Sequence, residues 1–308
     1  MFTVKVPVKD VIVTSDFPWP MGIVLFMAFP ETTNNVGVEK AVKAIVEDYF
    51  FDEFEIHIVP KEIWNNIVKI LEERDIIVGA ALQLHIFKEK LDINSLNEEL
   101  RRKSVNRLKE LIEEAHARGL SKVGLCSGPD PGPEKRSEAK KKLIESLKEL
   151  CEFSKERGIT LLLEAFDREY DKKLLIGPLP EAAEVLEEVR KEYSNIGLMW
   201  DLSHAPLLDE KPEDLIKYKD LLAHIHVGCA KIKDGKKLDT HPVFYTKGAI
   251  NTEEDVKRLI KVLKEIGYRG IVTLEIKPEE HQTSLEIINV AKGVMLKAYS
   301  MFLREYFT

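Results

Sequence analysis

The sequence predicts an α/β fold of the TIM-barrel class, a (β/α)₈ barrel in which each of eight parallel strands is followed by a helix. Short apolar runs, typical of parallel strands buried on both faces, alternate with segments whose apolar residues recur at helical spacing. Eight such pairs fit within the 308 residues, and strands covered by helices throughout favour a closed barrel. An open doubly wound sheet is the alternative, but no Gly-x-Gly-x-x-Gly motif follows the first predicted strand.

The predicted strands are the apolar runs that turn or helix signals bound on both sides. In chain order they are 23–28 (IVLFMA), 54–58 (FEIHI), 76–84 (IIVGAALQL), 121–126 (SKVGLC), 159–165 (ITLLLEA), 196–201 (IGLMWD), 222–227 (LAHIHV) and 271–276 (IVTLEI).

The intervening helices are predicted from apolar residues spaced three and four apart, which fall on one helix face. Three faces are the clearest: Val38, Ala41, Val42, Ile45, Val46 and Tyr49; Leu108, Leu111, Ile112 and Ala115; and Val256, Leu259, Ile260, Leu263 and Ile266. Gly119, Gly158 and Gly267 follow helical segments, where a left-handed residue commonly ends a helix.

The composition is consistent with a single domain over residues 1–308. Residues 1–20 precede the first barrel strand, and the run VKVPV with the turn-rich FPWP predicts a short strand and a loop that close the barrel bottom. The hydrophobic fraction of 44% allows a large core. The final aromatic segment, YSMFLREYFT, is expected to cover the barrel wall or a partner subunit, so a homo-oligomer is left open.

Charge and cysteine content exclude several classes of protein. The net charge of −7 argues against a nucleic-acid backbone as the main partner, because phosphate binding needs a basic surface. No apolar run reaches the length of a membrane span, and we see no secretory signal at the N-terminus. Three cysteines without a Cys-x-x-Cys pair predict a reduced, cytoplasmic protein without a disulfide framework.

Four consecutive predicted strands end in residues that bind metals. They are Glu164, Asp201, His226 and Glu275, each the last or next-to-last residue of its predicted strand. Strand alternation turns each of these side chains into the barrel, toward the face where barrel enzymes carry their active sites. Taken singly, a strand-end Glu can pair with a basic residue, and His226 can be an ordinary core histidine. Together, three buried carboxylates and an imidazole need a shared cation, so the pattern predicts one divalent metal ion.

On these motifs, LLLEAFDR, GLMWDLSHA, HIHVG and TLEIKP, the chain resembles the xylose-isomerase-like TIM barrel superfamily over nearly its whole length from the first strand onward. That superfamily includes sugar isomerases and epimerases, hydroxypyruvate isomerase and endonuclease IV. The resemblance implies the four metal ligands Glu164, Asp201, His226 and Glu275. It favours His226 over His224, which is expected one layer deeper as a hydrogen-bonding partner.

The resemblance also implies a metal-dependent sugar isomerase or epimerase that removes a proton next to a carbonyl and forms a metal-stabilised enediolate. Glu164 and Glu275 are then the two acid/base residues, and the substrate is a small sugar or sugar derivative. The oxygen-rich ligand set favours Mn²⁺, Mg²⁺ or Co²⁺, with catalytic Zn²⁺ as the alternative.

Five further residues are predicted to bind substrate. They are His204, Arg168, His57, His85 and His241. Two of them have an alternative structural role. His204 then stabilises a turn, and Arg168 forms an ion pair with Asp167 or Asp171.

Three other functions stay open at this point. The Asp-x-His of Asp239 and His241 resembles the additional zinc-ligand segment of endonuclease IV, although the fourth strand ends in Cys126, Ser127 and Gly128 without a histidine. A non-catalytic metal- or sugar-binding barrel and a metal-dependent dehydratase are the remaining alternatives.

Overall fold

An eight-stranded parallel sheet forms the centre of the protein in a computed structural model that describes residues 2–308. The barrel strands are β3 (Met21–Ile23), β4 (Glu53–Ile56), β5 (Ile77–Ala81), β6 (Lys122–Cys126), β7 (Thr160–Glu164), β8 (Ile196–Asp201), β9 (Leu222–Val227) and β12 (Val272–Leu274). Their order in the sheet is β3-β12-β9-β8-β7-β6-β5-β4, and a parallel bridge between Val24 and Glu55 joins the two ends. The predicted TIM barrel is therefore confirmed.

Helices surround this barrel, and two small hairpins lie outside it. The helices are α1 (Leu25–Ala28), α2 (Val38–Val46), α3 (Lys61–Leu71), α4 (Gln83–Glu89), α5 (Glu98–Ala117), α6 (Arg136–Lys155), α7 (Leu179–Arg190), α8 (Ala205–Leu208), α9 (Glu253–Glu265) and α10 (Ser284–Tyr306), with 3₁₀ turns at Pro30–Asn34 and Pro212–Tyr218. The hairpins pair β1 (Thr3–Val8) with β2 (Val11–Asp16), and β10 (Lys231–Lys233) with β11 (Lys236–Leu238).

The predicted strand bounds are exact for two strands and depart furthest where an apolar run continues past the strand end. Strands β8 and β9 have the predicted bounds. The prediction for 23–28 was wrong, because the strand is Met21–Ile23 and Leu25–Ala28 form a helical turn. The predicted strand at 76–84 was likewise too long, since helix α4 begins at Gln83. An apolar run alone does not separate a buried strand from a buried helix.

The N-terminal segment forms a hairpin rather than the predicted single strand and loop. Strand β1 pairs with β2 in antiparallel register, and the inward residues of β1 are buried. Phe17 and Trp19 follow the hairpin and are buried just before the first barrel strand, where the Trp19 indole donates a hydrogen bond to the Tyr268 carbonyl at 2.8 Å. These rings cover the N-terminal end of the barrel.

The predicted apolar helix faces are buried as expected, except beyond the C-terminal end of α2. Gly119, Gly158 and Gly267 have φ values of 74°, 66° and 68°, as expected for residues that end helices. Tyr49 was wrongly predicted to lie on the α2 face, because the helix ends at Val46 and Tyr49 is 75% exposed. Within residues 2–308 we find no helix with the length and apolar character needed to cross a bilayer.

Candidate metal centre

The four predicted ligands meet at the C-terminal end of the barrel. Glu164 ends β7, Asp201 ends β8, His226 lies in β9 and Glu275 follows β12. One donor atom from each lies within 4.8 Å of the donor atoms of the other three, and all four residues are buried. The parallel strands place these side chains in one layer, as the alternation of each strand predicts.

The donor atoms of this layer are better placed to share a cation than to satisfy one another by hydrogen bonds. His226 Nδ1 lies 2.8 Å from Glu275 Oε2 and 3.6 Å from Glu164 Oε1. Glu164 Oε1 is buried and has no hydrogen-bond partner among the described residues. A buried carboxylate oxygen without a partner is costly, and a divalent ion among these oxygens would satisfy it. Three carboxylates and one imidazole match the donor preferences of Mn²⁺, Co²⁺, Mg²⁺ and catalytic Zn²⁺.

Neighbouring side chains hold two of the carboxylates in place. Gln83, the first residue of α4, donates a hydrogen bond from Nε2 to Glu164 Oε2 at 2.8 Å. Asp201 accepts hydrogen bonds from the backbone N–H and the hydroxyl of Ser203, in the turn after β8. Each carboxylate therefore has a defined orientation before any ligand binds.

A second polar layer lies directly beneath the first. Glu55 Oε1 lies 3.0 Å from His226 Nε2 and 2.7 Å from His224 Nε2. Thr273 donates its hydroxyl to Glu53 Oε2 at 2.7 Å, and its oxygen lies 3.0 Å from His224 Nε2. His224 therefore occupies the deeper layer that the sequence predicts for it.

Burial and mutual charge oppose each other in this core. Burial and the nearby Glu55 raise the pKa of Glu53 to about 7. Burial also raises the pKa of Glu55, but the charges of His226 and His224 outweigh it and hold that pKa well below its usual range. Burial lowers the pKa of His226, but the carboxylates of Glu55 and Glu275 outweigh burial and raise that pKa well above its usual value. The charges here are paired, as buried charges must be.

A third cluster adjoins the metal layer. His241 Nε2 lies 2.7 Å from Asp239 Oδ1, and His204 Nε2 lies 3.3 Å from the same oxygen and 3.6 Å from Asp201 Oδ2. The Lys172 ammonium lies 3.3 Å from Asp239 Oδ2. Burial opposes the charge on His241, but Glu275 and Asp239 raise its pKa to about 9. His241 has φ of 49°, a conformation that costs a non-glycine residue about 1 kcal/mol and that clusters at functional sites.

The metal layer opens into a cavity of about 220 Å³. Its walls are largely apolar, and its polar residues converge at the barrel end. The apolar lining comprises Val24, Phe26, Met27, Pro30, Ala81, Leu84, Phe87 and Phe166, and the polar lining comprises Thr33, Glu55, Gln83, Glu164, Lys172, His226, Asp239, His241, Glu275 and Lys277. A concave apolar pocket with a few converging polar groups is the usual form of a small-molecule site.

The structure brings only some of the five predicted substrate-binding residues to this cavity. His241 lines it, and His204 lies behind it against Asp239 and Asp201. Arg168 is not among the lining residues; its guanidinium pairs with Glu181 at 2.6 Å rather than with either predicted aspartate.

His57 and His85 also lie apart from the lining. His57 Nε2 is 3.0 Å from Asn35 Oδ1, and His85 Nδ1 is 3.2 Å from Glu89 Oε1. Burial is the main cause that lowers the pKa of each, to about 4 for His57. Burial therefore favours the neutral form of each ring.

Several functional candidates were missed from the sequence. Glu53 and Glu55 alternate with apolar residues in FDEFEIHI and share the inward face of His57, so the signal was present. Gln83 was assigned to a strand and Lys172 lies in an irregular loop, so no periodic pattern pointed to either.

Comparison with known protein families agrees with this architecture. The family model described as "Xylose isomerase-like TIM barrel" matches residues 44–291. The chain belongs to this family. It is 29% identical over 170 residues to the inosose isomerase of Halalkalibacterium halodurans, a match that spans 54% of this chain and 57% of that isomerase.

Solved structures of this barrel type show the same fold at low sequence identity. The IolI protein with a bound zinc atom superimposes with a TM-score of 0.70 at 18% identity, covering 92% of this chain and 99% of that one. The D-psicose 3-epimerase of Clostridium cellulolyticum H10 with D-tagatose gives a TM-score of 0.68 at 15% identity, covering 92% and 99%. These similarities establish the fold that this family member shares with them.

Proposed function

We propose that this protein is a divalent-metal-dependent isomerase or epimerase of a sugar or sugar derivative. The observation that carries the proposal is the placement of Glu164 and Glu275. Glu164 ends β7 and Glu275 follows β12, and both line the cavity while offering an oxygen to one cation position. Two carboxylates on different walls can reach two faces of one bound substrate.

The residues that would hold the metal are Glu164, Asp201, His226 and Glu275, and the unpaired Glu164 oxygen is the sign that they fit it. When bound, a divalent ion polarises a substrate carbonyl and stabilises the negative charge that develops on its oxygen. Mn²⁺, Co²⁺ and Mg²⁺ suit the oxygen-rich set, and the zinc atom in the IolI structure keeps Zn²⁺ as an alternative.

The proton transfers fall to the two glutamates. One removes the proton from the carbon next to the carbonyl. Delivery of a proton to the opposite face by the other glutamate, which must itself be protonated, is epimerisation, and delivery of a proton to the neighbouring carbon is isomerisation. Gln83 orients Glu164 through its 2.8 Å hydrogen bond, so the Glu164 oxygen opposite that bond is the one directed at the metal layer.

The cavity suits a small polar substrate with an apolar face. Phe26, Leu84, Phe87 and Phe166 exclude water from the reacting atoms. His241 and the Lys172 ammonium, which also line the cavity, supply hydrogen-bond donors for substrate oxygens. Two proteins to which this chain is similar, an inosose isomerase and a D-psicose 3-epimerase, act on small molecules of this kind.

Solvent deuterium uptake tests this function directly. The metal-loaded protein is incubated with a panel of keto-sugars and keto-inositols in deuterated water and followed by NMR. We expect one compound to acquire deuterium at the carbon next to its carbonyl and to convert into an isomer. Metal-dependent binding of a compound without any deuterium uptake would support a non-catalytic binding barrel instead.

A second candidate, a metal-dependent phosphodiester hydrolase like endonuclease IV, is favoured by one observation. His204 and His241 lie within donor distance of Asp201, and Asp239 stands between the two imidazoles, which is an arrangement that can hold a second ion. The net charge of −7 opposes it. Two or more ions per chain, together with cleavage of DNA at abasic sites, would favour this hydrolase over the isomerase.

A further inference from the structure

Glu55 is a buried carboxylate that belongs to the metal site without being one of its four proposed ligands. It lies on β4, three strands from β9 around the barrel, and is 3% exposed. Its Oε1 atom lies 3.0 Å from Nε2 of His226 and 2.7 Å from Nε2 of His224. One oxygen therefore faces two imidazole nitrogens on the strand that supplies the histidine ligand.

A neutral imidazole has one N–H donor and one nitrogen lone pair, so the partner of one nitrogen decides the role of the other. A carboxylate oxygen can only accept, and Glu55 therefore requires the proton of His226 to be on Nε2. The lone pair is then on Nδ1, the atom that lies 2.8 Å from Glu275 Oε2 and 3.6 Å from Glu164 Oε1. A lone pair facing two carboxylate oxygens needs a positive charge between them, which a proton supplies in the metal-free protein and the metal ion supplies once it binds.

Glu53, the neighbouring inward carboxylate on β4, has a different hydrogen-bond partner. Glu53 shares the inward face with Glu55 and is 1% exposed, but its Oε2 atom accepts a hydrogen bond from the Thr273 hydroxyl at 2.7 Å. No contact with His226 is found for it among the described residues. Glu53 is therefore a matched control of the same type, burial and strand.

We propose that Glu55 is a positioning residue that accepts the Nε2–H of His226 and thereby makes Nδ1 the metal-binding atom. The inference rests on the proposed metal centre and goes beyond it by naming the donor atom and the residue that selects it. A carboxylate that accepts a hydrogen bond from a metal-bound imidazole fixes the ring orientation and strengthens the donor nitrogen. Glu55 would also add negative charge one layer below the ion without contacting it.

The tautomer of His226 in the wild-type protein tests the proposal first. The full chain, labelled with ¹⁵N-histidine and loaded with zinc, is examined by long-range ¹H–¹⁵N correlation, and the His226 signals are assigned by their loss in His226→Asn. We expect a proton on Nε2 and a metal-shifted Nδ1. Zinc on Nε2, or a proton on Nδ1, would overturn the inference and leave the metal centre standing. Failure of the wild-type protein to bind any metal would instead contradict the proposed function.

Paired variants test the role of the charge. Zinc affinity is measured by competition with a chromophoric chelator for Glu55→Gln and for the control Glu53→Gln. Loss of a residue that supports a metal ligand typically weakens binding by about 10–100-fold, and we expect that range for Glu55→Gln. The control should bind zinc like the wild type. Equal affinities for all three proteins would overturn the inference, and if Glu55→Gln does not fold, the wild-type tautomer still decides it.

Discussion

Replacing the two histidines of β9 separately distinguishes a metal ligand from the layer that supports it. His226→Ala removes the only imidazole of the proposed ligand set, and His224→Ala removes a side chain of equal size and burial two residues away. Structural zinc sites bind with roughly 10–16 kcal/mol at pH 7, so one of four ligands accounts for roughly 2.5–4 kcal/mol. That loss corresponds to a decrease in affinity of roughly 10²–10³-fold.

His224 should have a much smaller effect, because it touches His226 only through the shared Glu55 oxygen and an edge-on ring contact, and is not in the proposed ligand set. Its Nε2 lies 2.7 Å from Glu55 Oε1, which in turn lies 3.0 Å from His226 Nε2. Effects of outer partners are about 10–100-fold, and we expect the lower part of that range for His224→Ala. Competition titrations with a chelator measure both constants, with circular dichroism to check folding. A weaker affinity in His224→Ala than in His226→Ala would refute the assignment of the two layers.

Three further predictions follow from other parts of the structure. At metal concentrations that restore occupancy, Glu164→Gln and Glu275→Gln should each lose about 10²–10⁴-fold in turnover, because each removes an acid/base group. A metal-filled variant with wild-type turnover would show that its glutamate is only a ligand. Burial raises the pKa of Glu210 from its ordinary value of 4.5 to about 7. Between these two pH values the folded protein binds more protons than the unfolded chain, so the free energy of unfolding should fall as the pH rises through that window. Urea unfolding of Glu210→Gln should show a smaller fall across the same window, and the same pH dependence as the wild type would contradict the assignment. A Cβ at Gly228 would lie 2.3 Å from the Glu275 carbonyl oxygen. Gly228→Ala should therefore destabilise the fold by about 1–3 kcal/mol, measured by thermal unfolding, and weaken metal binding, measured by titration. Wild-type values for both would refute the close packing.

The sequence was most informative where chemistry and periodicity coincide. Asp201 and Glu164 each end a strand at a change from apolar to polar residues, so both the strand end and the inward direction could be predicted. The first strand failed for the opposite reason, since IVLFMA carries no polar residue to show where Ile23 ends the strand and Leu25 begins a helix. Apolar runs fix burial but not the type of element.

Residues on loops were the hardest to place. His241 approaches Asp201, and Asp239 approaches His204, only because the segment after β9 folds back through the β10–β11 hairpin, and no local pattern encodes that return. Arg168 follows Glu164 by four residues, yet its side chain turns to Glu181. Positions outside regular elements depend on tertiary contacts, which spacing along the chain does not determine.

The metal content of the purified protein tests the central claim most directly. Elemental analysis of the wild type and of Asp201→Asn, after dialysis against a weak chelator, measures how many ions the buried carboxylates and His226 retain. The account predicts about one tightly held divalent ion per wild-type chain and strongly reduced retention in Asp201→Asn, because a charged oxygen ligand is lost. Wild-type protein that holds no metal, and whose activity a strong chelator leaves unchanged, would contradict it.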